Sequence, residues 1–283
     1  MSGAAPAIDS LVPSLHRDAT TRAHESAVAA VVRRMAERPG RPLDLAAMAR
    51  IASVSRFHFD RLFRAVTGLS PRRFQTALRL QAASRLLLTT RRSVTDICFD
   101  VGYASLGSFV TKFTRTFGLS PAKLRELADA LDRPWSDWLR VDDGTFGVDA
   151  SAPGVRGIVS APPDFAGLIF VGLFPRPLPV TAPLACGVLT APGEFTVGAV
   201  PRGRHHVLAV GIPWREHPLD FLLNEQTLRG SAGAAVAAPC SDVRLALRPP
   251  RVTDPPINLA LPFLIVQRMV LQSGQATAPR SAR

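Results

Sequence analysis

The sequence predicts a multidomain protein, an all-α domain built on two helix-turn-helix motifs followed by an all-β, sandwich-like domain. Three observations carry this prediction. A segment starting at Ser55 recurs at an offset of 50 residues. Basic charge is concentrated early: residues 1–140 hold 22 Lys and Arg against 12 Asp and Glu, whereas residues 141–283 hold 12 against 10. Prolines run the other way, 7 before residue 141 and 18 after it, so long helical stretches give way to short apolar runs cut by breakers. With 283 residues, 47% hydrophobic and 20% charged, the chain can bury two cores. The basic first half points to a polyanion as its partner.

The expected boundaries are a loose tail over residues 1–17, the helical domain over 18–135, a linker over 136–154, the β-rich domain over 155–272 and a second loose tail over 273–283. From Thr20 to Glu37, Val28, Val31, Val32 and Met35 fall at i, i+3, i+4 and i+7, one apolar stripe on a helix. Pro39-Gly40-Arg41-Pro42 stops that helix, and the text stays helical to about Leu131. Pro71 and Pro121 each follow a serine, the arrangement of a capped helix start with proline in first place. A longer helix is expected over Arg72–Leu88.

The repeat is the most informative feature. Ser55 falls on Ser105, Phe59 on Phe109, Phe63 on Phe113, and Gly68-Leu69-Ser70-Pro71 on Gly118-Leu119-Ser120-Pro121, seven identities in 17 positions at one offset. Each copy has the layout of two short helices about a tight turn. Asp44 caps a helix carrying Ala47, Met48 and Ile51, Ala52-Ser53-Val54 turns, and Ser55 caps the next. In the second copy Ser93 with Asp96 opens a helix through Ile97 and Val101, Gly102-Tyr103-Ala104 turns, and Ser105 caps the next. A turn of this length presents the second helix to a major groove. At 100° per residue, Phe59, Leu62, Phe63 and Val66 face inward in the first copy and Phe57, Asp60, Arg61 and Arg64 outward. In the second, Phe109, Phe113 and Thr116 face inward, Gly107, Thr111 and Thr114 outward, and Ser108, Lys112 and Arg115 flank them. Arg56, Arg72, Arg73, Arg79 and Arg85 gather on the first motif and the helix after it.

This pattern, closing on Phe113…Phe117-Gly118-Leu119-Ser120-Pro121-Ala122-Lys123-Leu124-Arg125, resembles the AraC/XylS family of bacterial transcription regulators over roughly residues 24–130. The resemblance implies an all-α AraC-type fold whose two recognition helices enter successive major-groove segments, about 34–36 Å apart. Carried over by position, it implies base contacts from Phe57, Asp60 and Arg61 in the first helix and from Leu106, Gly107, Ser108 and Thr111 in the second. Arg61 suits guanine O6 and N7, Phe57 a thymine methyl and Asp60 a cytosine N4. Ser55, Arg56, Arg64, Arg72, Ser105, Lys112, Arg115 and Lys123 are the expected phosphate contacts. The second helix departs from the family, many members of which carry arginine where Thr111 stands. The first motif is therefore expected to supply most of the base readout and the second to grip phosphates, mainly through Lys112, Arg115 and helix N-termini.

In the second half, Asp142-Asp143-Gly144 and Ser151-Ala152-Pro153-Gly154 read as linker. Val155–Ser160, Gly167–Phe174, Ala185–Leu189, Glu194–Val200, His205–Ile212 and Val243–Leu247 read as strands, while Ile257–Val270 fits strand or helix. Cys186–Val210, with Gly187-Val188-Leu189, Glu194-Phe195-Thr196-Val197 and the turn Val200-Pro201-Arg202-Gly203-Arg204, is similar to transthyretin-like, carboxypeptidase-regulatory β-sandwich modules, although Arg204-His205 replaces their usual Thr-Tyr. Such modules imply a packing or binding platform and no catalysis. In the AraC/XylS family a sensing or dimerising domain usually precedes the DNA-reading unit. Here it follows, so a small-molecule effector or a homodimer contact is expected through the C-terminal domain, with Trp135, Trp138 and Trp214 expected in packing roles ahead of lining a ligand pocket or the domain interface.

Catalysis, cofactor and metal are not expected. His205 and His206 are adjacent and point to opposite faces of a strand, and no carboxylate pair accompanies His217. Cys98, Cys186 and Cys240 lie far apart without a CxxC, which suits a reducing cytoplasm. No apolar run reaches the roughly 18–20 residues of a membrane helix, and no secretory signal opens the chain. The reading is a sequence-specific, DNA-binding transcription regulator. One alternative is an architectural DNA-binding protein of weak base preference. The other is a DNA-repair protein using Cys240, which lacks the adjacent histidine such a nucleophile needs.

Overall fold

The computed structural model describes residues 12–130, 154–176, 183–198, 202–215, 223 and 226–256. Trp135, Trp138, His217, the linker up to residue 153, the Ile257–Val270 stretch and the second tail lie outside them. Among the described residues seven helices precede eight strands. They fall into two compact units, the first running to Leu78 and taking in Arg251–Pro255, the second running from Arg79 to Pro250. The division lies inside a helix, whereas composition placed the change near residue 140.

The first unit begins with α1 (Val12–Glu37), so the helix starts well before the Thr20 read from the sequence and runs into the expected tail. Its apolar stripe is the one predicted: Val28, Val31, Val32 and Met35 are all buried. Asp44 caps α2 (Leu45–Ile51), its carboxylate accepting from Ala47 N–H at 2.6 Å. Ser55 caps α3 (Arg56–Thr67), accepting from His58 N–H at 3.3 Å. Gly68 ends α3 in the left-handed conformation (φ 74°), as a carbonyl-satisfying helix stop requires of a residue without Cβ. Phe59, Leu62 and Phe63 are buried, with Val66 half-buried. The Phe63 ring meets Phe59 at 5.5 Å and Phe74 at 5.4 Å between centroids. Phe74 belongs to α4 (Pro71–Thr89), which starts at proline as expected. Buried Gln75 on the same helix accepts from Leu43 N–H at 2.6 Å and donates to Leu43 C=O at 3.2 Å, pinning the entry to α2.

The second unit repeats the plan. Ser93 caps α5 (Val94–Asp100) by accepting from Asp96 N–H at 3.0 Å, and its hydroxyl donates to the Asp96 carboxylate at 2.6 Å. Ser105 caps α6 (Leu106–Phe117), Gly118 ends it at φ 74°, and Ser120 accepts from Lys123 N–H at the start of α7 (Pro121–Ala130). The inward stripe of α6 is Phe109, Phe113 and Phe117; Thr116, expected there, is half-buried with its hydroxyl donating to Lys112 C=O. Phe117 displaces it because the stripe drifts round the helix at 3.6 residues per turn.

The two motifs differ by one residue. Val54 N–H donates to Ala49 C=O and Tyr103 N–H to Cys98 C=O, an offset of 49, while the caps Ser55 and Ser105 are 50 apart. Ala104 is the extra residue, so the second turn is longer. The left-handed turn position is Gly102 (φ 80°) in one copy and Ser53 (φ 55°) in the other.

The same unit holds the strands β1 (Val155–Ser160), β2 (Gly167–Phe174), β3 (Ala185–Leu189), β4 (Gly193–Val197), β5 (Gly203–Pro213), β6 (Leu228–Ser231), β7 (Val236–Ala238) and β8 (Cys240–Ala246). One sheet runs β4-β1-β8; the other runs β3-β2-β5-β6, with β7 also on β5. The β1–β8 pair is parallel and the other strand pairs are antiparallel. β6 and β7 were not read from the sequence. Arg229-Gly230-Ser231 and Val236-Ala237-Ala238 carry little strand preference of their own, and pairing with β5 supplies it.

β2 is buried along its whole length, so it is covered on both faces. Ile169, Val171 and Leu173 join Val155, Val159, Phe195, Val197, Val243 and Leu245 of the other sheet in one core. Leu168, Phe170 and Phe174, with Val188, Val210 and Ile212, join Leu80, Leu87, Ile97, Phe109, Phe113 and Leu124 of the helices in a second. The sheet and the second motif therefore share a core.

Candidate nucleic-acid interface

The helices α3 and α6 present their N-terminal halves to solvent. On α3, Ser55, Arg56, Phe57, Arg61 and Arg64 are exposed, and Asp60 is half-buried. Phe57 is 80% exposed, a large apolar side chain held in water by its place on the first turn of a capped helix. None of the described residues bonds the Arg61 guanidinium, so it extends from the middle of the outward face as an unspent donor set. Asp60 behaves differently. Its carboxylate accepts from Arg64 Nε at 2.8 Å one turn along, which occupies both the expected cytosine acceptor and an expected phosphate donor. An exposed i,i+4 pair contributes only about 0.3–0.5 kcal/mol, so Arg64 can exchange Asp60 for a phosphate at small cost.

On α6, Ser105, Leu106, Gly107, Ser108, Thr111, Lys112 and Arg115 are all exposed, and the sheet within the same unit leaves them open. Arg72 on α4 is exposed as well. Lys123 is tied to Glu126 at 2.8 Å, another exposed pair of small worth. The cap hydroxyls of Ser55 and Ser105 are engaged with their own helix N-termini.

Arg79 has a role that charge counting missed. It is half-buried on α4, donates through Nε to Val101 C=O at 2.5 Å, and lies over the Tyr103 ring at 4.2 Å from its centroid. Both partners belong to the turn of the second motif, so Arg79 braces that turn rather than meeting solvent. Burial lowers the Arg79 pKa and raises those of Tyr103 and the fully buried Cys98 beside it. The absence of any residue 22 positions from Arg79 on a common helix made this contact invisible in the sequence; only the fold brings it about.

The groups weighed for chemistry stay apart. His205 is buried and His206 half-buried on β5, on opposite faces, and burial with the Arg204 charge lowers the His206 pKa. Cys240 opens β8 half-buried, and no hydrogen bond ties its thiol to a histidine among the described residues. Trp214 is half-buried against the helix–sheet core. Among the described residues no group of three or more His, Cys, Asp or Glu is placed to hold a metal, and no helix is long and apolar enough to cross a membrane.

Residues 48–127 match the helix-turn-helix domain family. The chain is 41% identical over 97 residues to the RCS-specific HTH-type transcriptional activator RclR of Escherichia coli, covering 34% of each chain. Residues 48–127 form an AraC-type helix-turn-helix domain. The HTH-type transcriptional regulator GlxA of Rhizobium meliloti is 39% identical over 99 residues, 35% of this chain and 31% of the relative. The chain thus spans about a third of the length of these relatives. A solved transcriptional regulator with an AraC-type DNA-binding domain from Chromobacterium violaceum is 27% identical, covering 36% of this chain and 92% of the other at a TM-score of 0.36. The DNA-binding domain of AdpA, solved in complex with a target DNA, is 34% identical, covering 36% of this chain and 93% of the other at a TM-score of 0.35.

Proposed function

We propose that the chain is a sequence-specific transcription regulator that reads duplex DNA through α3 and α6, each entering a major-groove segment. The carrying observation is the pair of capped helices whose first turns stand open to solvent, with Arg61 bonded by none of the described residues at the centre of one face and Phe57 projecting beside it. Neither arrangement serves the core. An arginine fork matches guanine O6 and N7, and an apolar ring covers a thymine methyl. Arg56, Arg64, Arg72, Lys112 and Arg115 then hold phosphates, with Lys123 joining by releasing Glu126. Hydrogen-bonded readout is concentrated in the first motif.

The C-terminal strands form the regulatory half, two sheets facing each other in the manner of a β-sandwich and serving an effector or a second copy of the chain. Its shared core with the second motif gives such an input a mechanical route to α6. The test is competition between promoter fragments and random duplex at fixed salt, where specific binding exceeds non-specific by at least about 10³-fold. The second reading, an architectural protein of weak base preference, has support in the small side chains of α6. Comparable affinity for all duplexes, together with Arg61→Ala weakening all of them equally, would select it.

A further inference from the structure

The outward faces of α3 and α6 occupy the same positions of the repeat and carry different chemistry. Phe57 corresponds to Gly107, His58 to Ser108 and Arg61 to Thr111. The first turns of α6 thus offer Leu106, 38% exposed, with Gly107, Ser108 and Thr111, and no cation, carboxylate or amide among them. Lys112 lies on the flank and Arg115 a further turn along.

Base edges make unequal demands. Guanine needs a bidentate cation, adenine an amide, and cytosine N4 an acceptor such as a carboxylate. None of these stands on the first turns of α6. A thymine methyl needs only an apolar surface, and α6 has two: the methyl of Thr111 and the side chain of Leu106. The hydroxyls of Ser108 and Thr111 serve either sense of pair and discriminate little. Short side chains reach a base only if the helix backbone comes close, and Gly107 permits that. No heavy atom lies within 4 Å of where its Cβ would stand, so packing within the protein does not require glycine there.

We infer that the two motifs read one asymmetric duplex by unlike chemistry, α3 through hydrogen bonds from Arg61 to guanine and α6 through contact of Thr111 and Leu106 with thymine 5-methyl groups, Gly107 admitting the backbone. This rests on the proposed reading of the chain as a sequence-specific DNA-binding protein.

The experiment uses the full chain. A site is selected from random duplex at fixed salt. Each of its thymines is then replaced by deoxyuridine, which lacks only the methyl, and each guanine by 7-deazaguanine, which lacks N7. Thr111→Ser removes the side-chain methyl and keeps the hydroxyl. Arg61→Ala removes the fork. Both positions are exposed, and unchanged thermal midpoints establish that the variants are folded. Deoxyuridine at one or two positions is expected to weaken binding about 3- to 5-fold, the order of one buried methyl, and Thr111→Ser is expected to be indifferent to those same replacements. The 7-deazaguanine effects are expected to vanish in Arg61→Ala instead. Positions that fall silent in Thr111→Ser but prove to be guanines would overturn the inference, as would tolerance of deoxyuridine throughout the site. Failure to enrich any sequence would defeat the sequence-specific reading itself, before any base is replaced.

Discussion

If the sheet and the second motif share one core, a perturbation on the sheet must be felt in α6. Phe170 is the sharpest place to apply it. It sits mid-strand on β2, is 2% exposed, and belongs to the cluster that includes Phe109 and Phe113 of α6. A buried aromatic side chain removes about 150–250 Å² from water, worth roughly 4–6 kcal/mol at about 25 cal/mol per Å². Phe170→Ala keeps the β-carbon and permits some collapse, so a cost of about 3–5 kcal/mol is expected. A domain has about 5–15 kcal/mol in all, so the variant stays folded in the better part of that range, and Phe170→Leu, at about 1 kcal/mol, is a milder companion. Amide hydrogen exchange reads the result. At about 1.4 kcal/mol per decade, exchange of globally protected amides in β2 and β5 rises by about two to three and a half decades. Amides of α6 should rise by the same amount, because one cooperative body opens with one free energy. Acceleration in β2 with α6 unchanged would refute the shared core as an energetic unit and leave it a mere adjacency.

Other perturbations are local. Ser53 holds a left-handed conformation where the second copy has Gly102, so Ser53→Gly should stabilise the first unit by about 1 kcal/mol, read as a raised thermal midpoint with DNA affinity unchanged. Arg79→Gln removes the charged hydrogen bond to Val101 C=O and the stack on Tyr103. A loss of about 1.5–3 kcal/mol should appear as faster exchange across the turn between α5 and α6, with Arg79→Lys recovering part of it. Gly107→Ala meets open space in the free protein and should raise stability by up to about 1 kcal/mol while weakening DNA binding, a divergence that equal shifts in midpoint and affinity would contradict. Cys98 is buried with its thiol pKa pushed up, whereas Cys186 and Cys240 are half-buried, the Cys186 thiol also pushed up by burial. Thiol labelling near neutral pH should therefore modify Cys240 first and Cys186 more slowly, leaving Cys98 until the second unit unfolds.

Much of the helical part was legible because its signals are local. The caps Asp44, Ser55, Ser93 and Ser105, the prolines opening α4 and α7, and the stripes of α1, α3 and α6 are consequences of neighbours within about four residues. The Asp60–Arg64 pair could also have been read, since the two stand at i and i+4. What escaped is non-local. Arg79 looks like any surface cation until Tyr103 arrives beneath it. β6 and β7 take their order from β5. The shared core left one trace, the unbroken apolar run Gly167–Phe174, which alternates with nothing polar and so demands cover on both faces. That run was taken as a strand without asking what would cover its second side. The boundary near residue 140 followed composition, which records the change from helix to strand and is blind to packing across it.

The repeat itself separates fold from readout. Its seven identities all have structural duties: Ser55 and Ser105 cap, Phe59, Phe109, Phe63 and Phe113 are fully buried, Gly68 and Gly118 end their helices left-handed, Leu69 and Leu119 are buried, and Ser70-Pro71 and Ser120-Pro121 start the next helix. None is among the outward-facing residues that follow the caps. The outward positions differ pair by pair, a ring against no side chain and a guanidinium against a hydroxyl, on helices of the same length. A protein needing only general attraction to a polyanion could have kept cations at both. On the proposed reading, Arg61 in one copy and Thr111 in the other make the two helices unequal readers, and unequal readers favour a site without internal symmetry. On that reading, a palindrome emerging as the sequence that a single chain selects from random duplex is the result this arrangement of residues rules out.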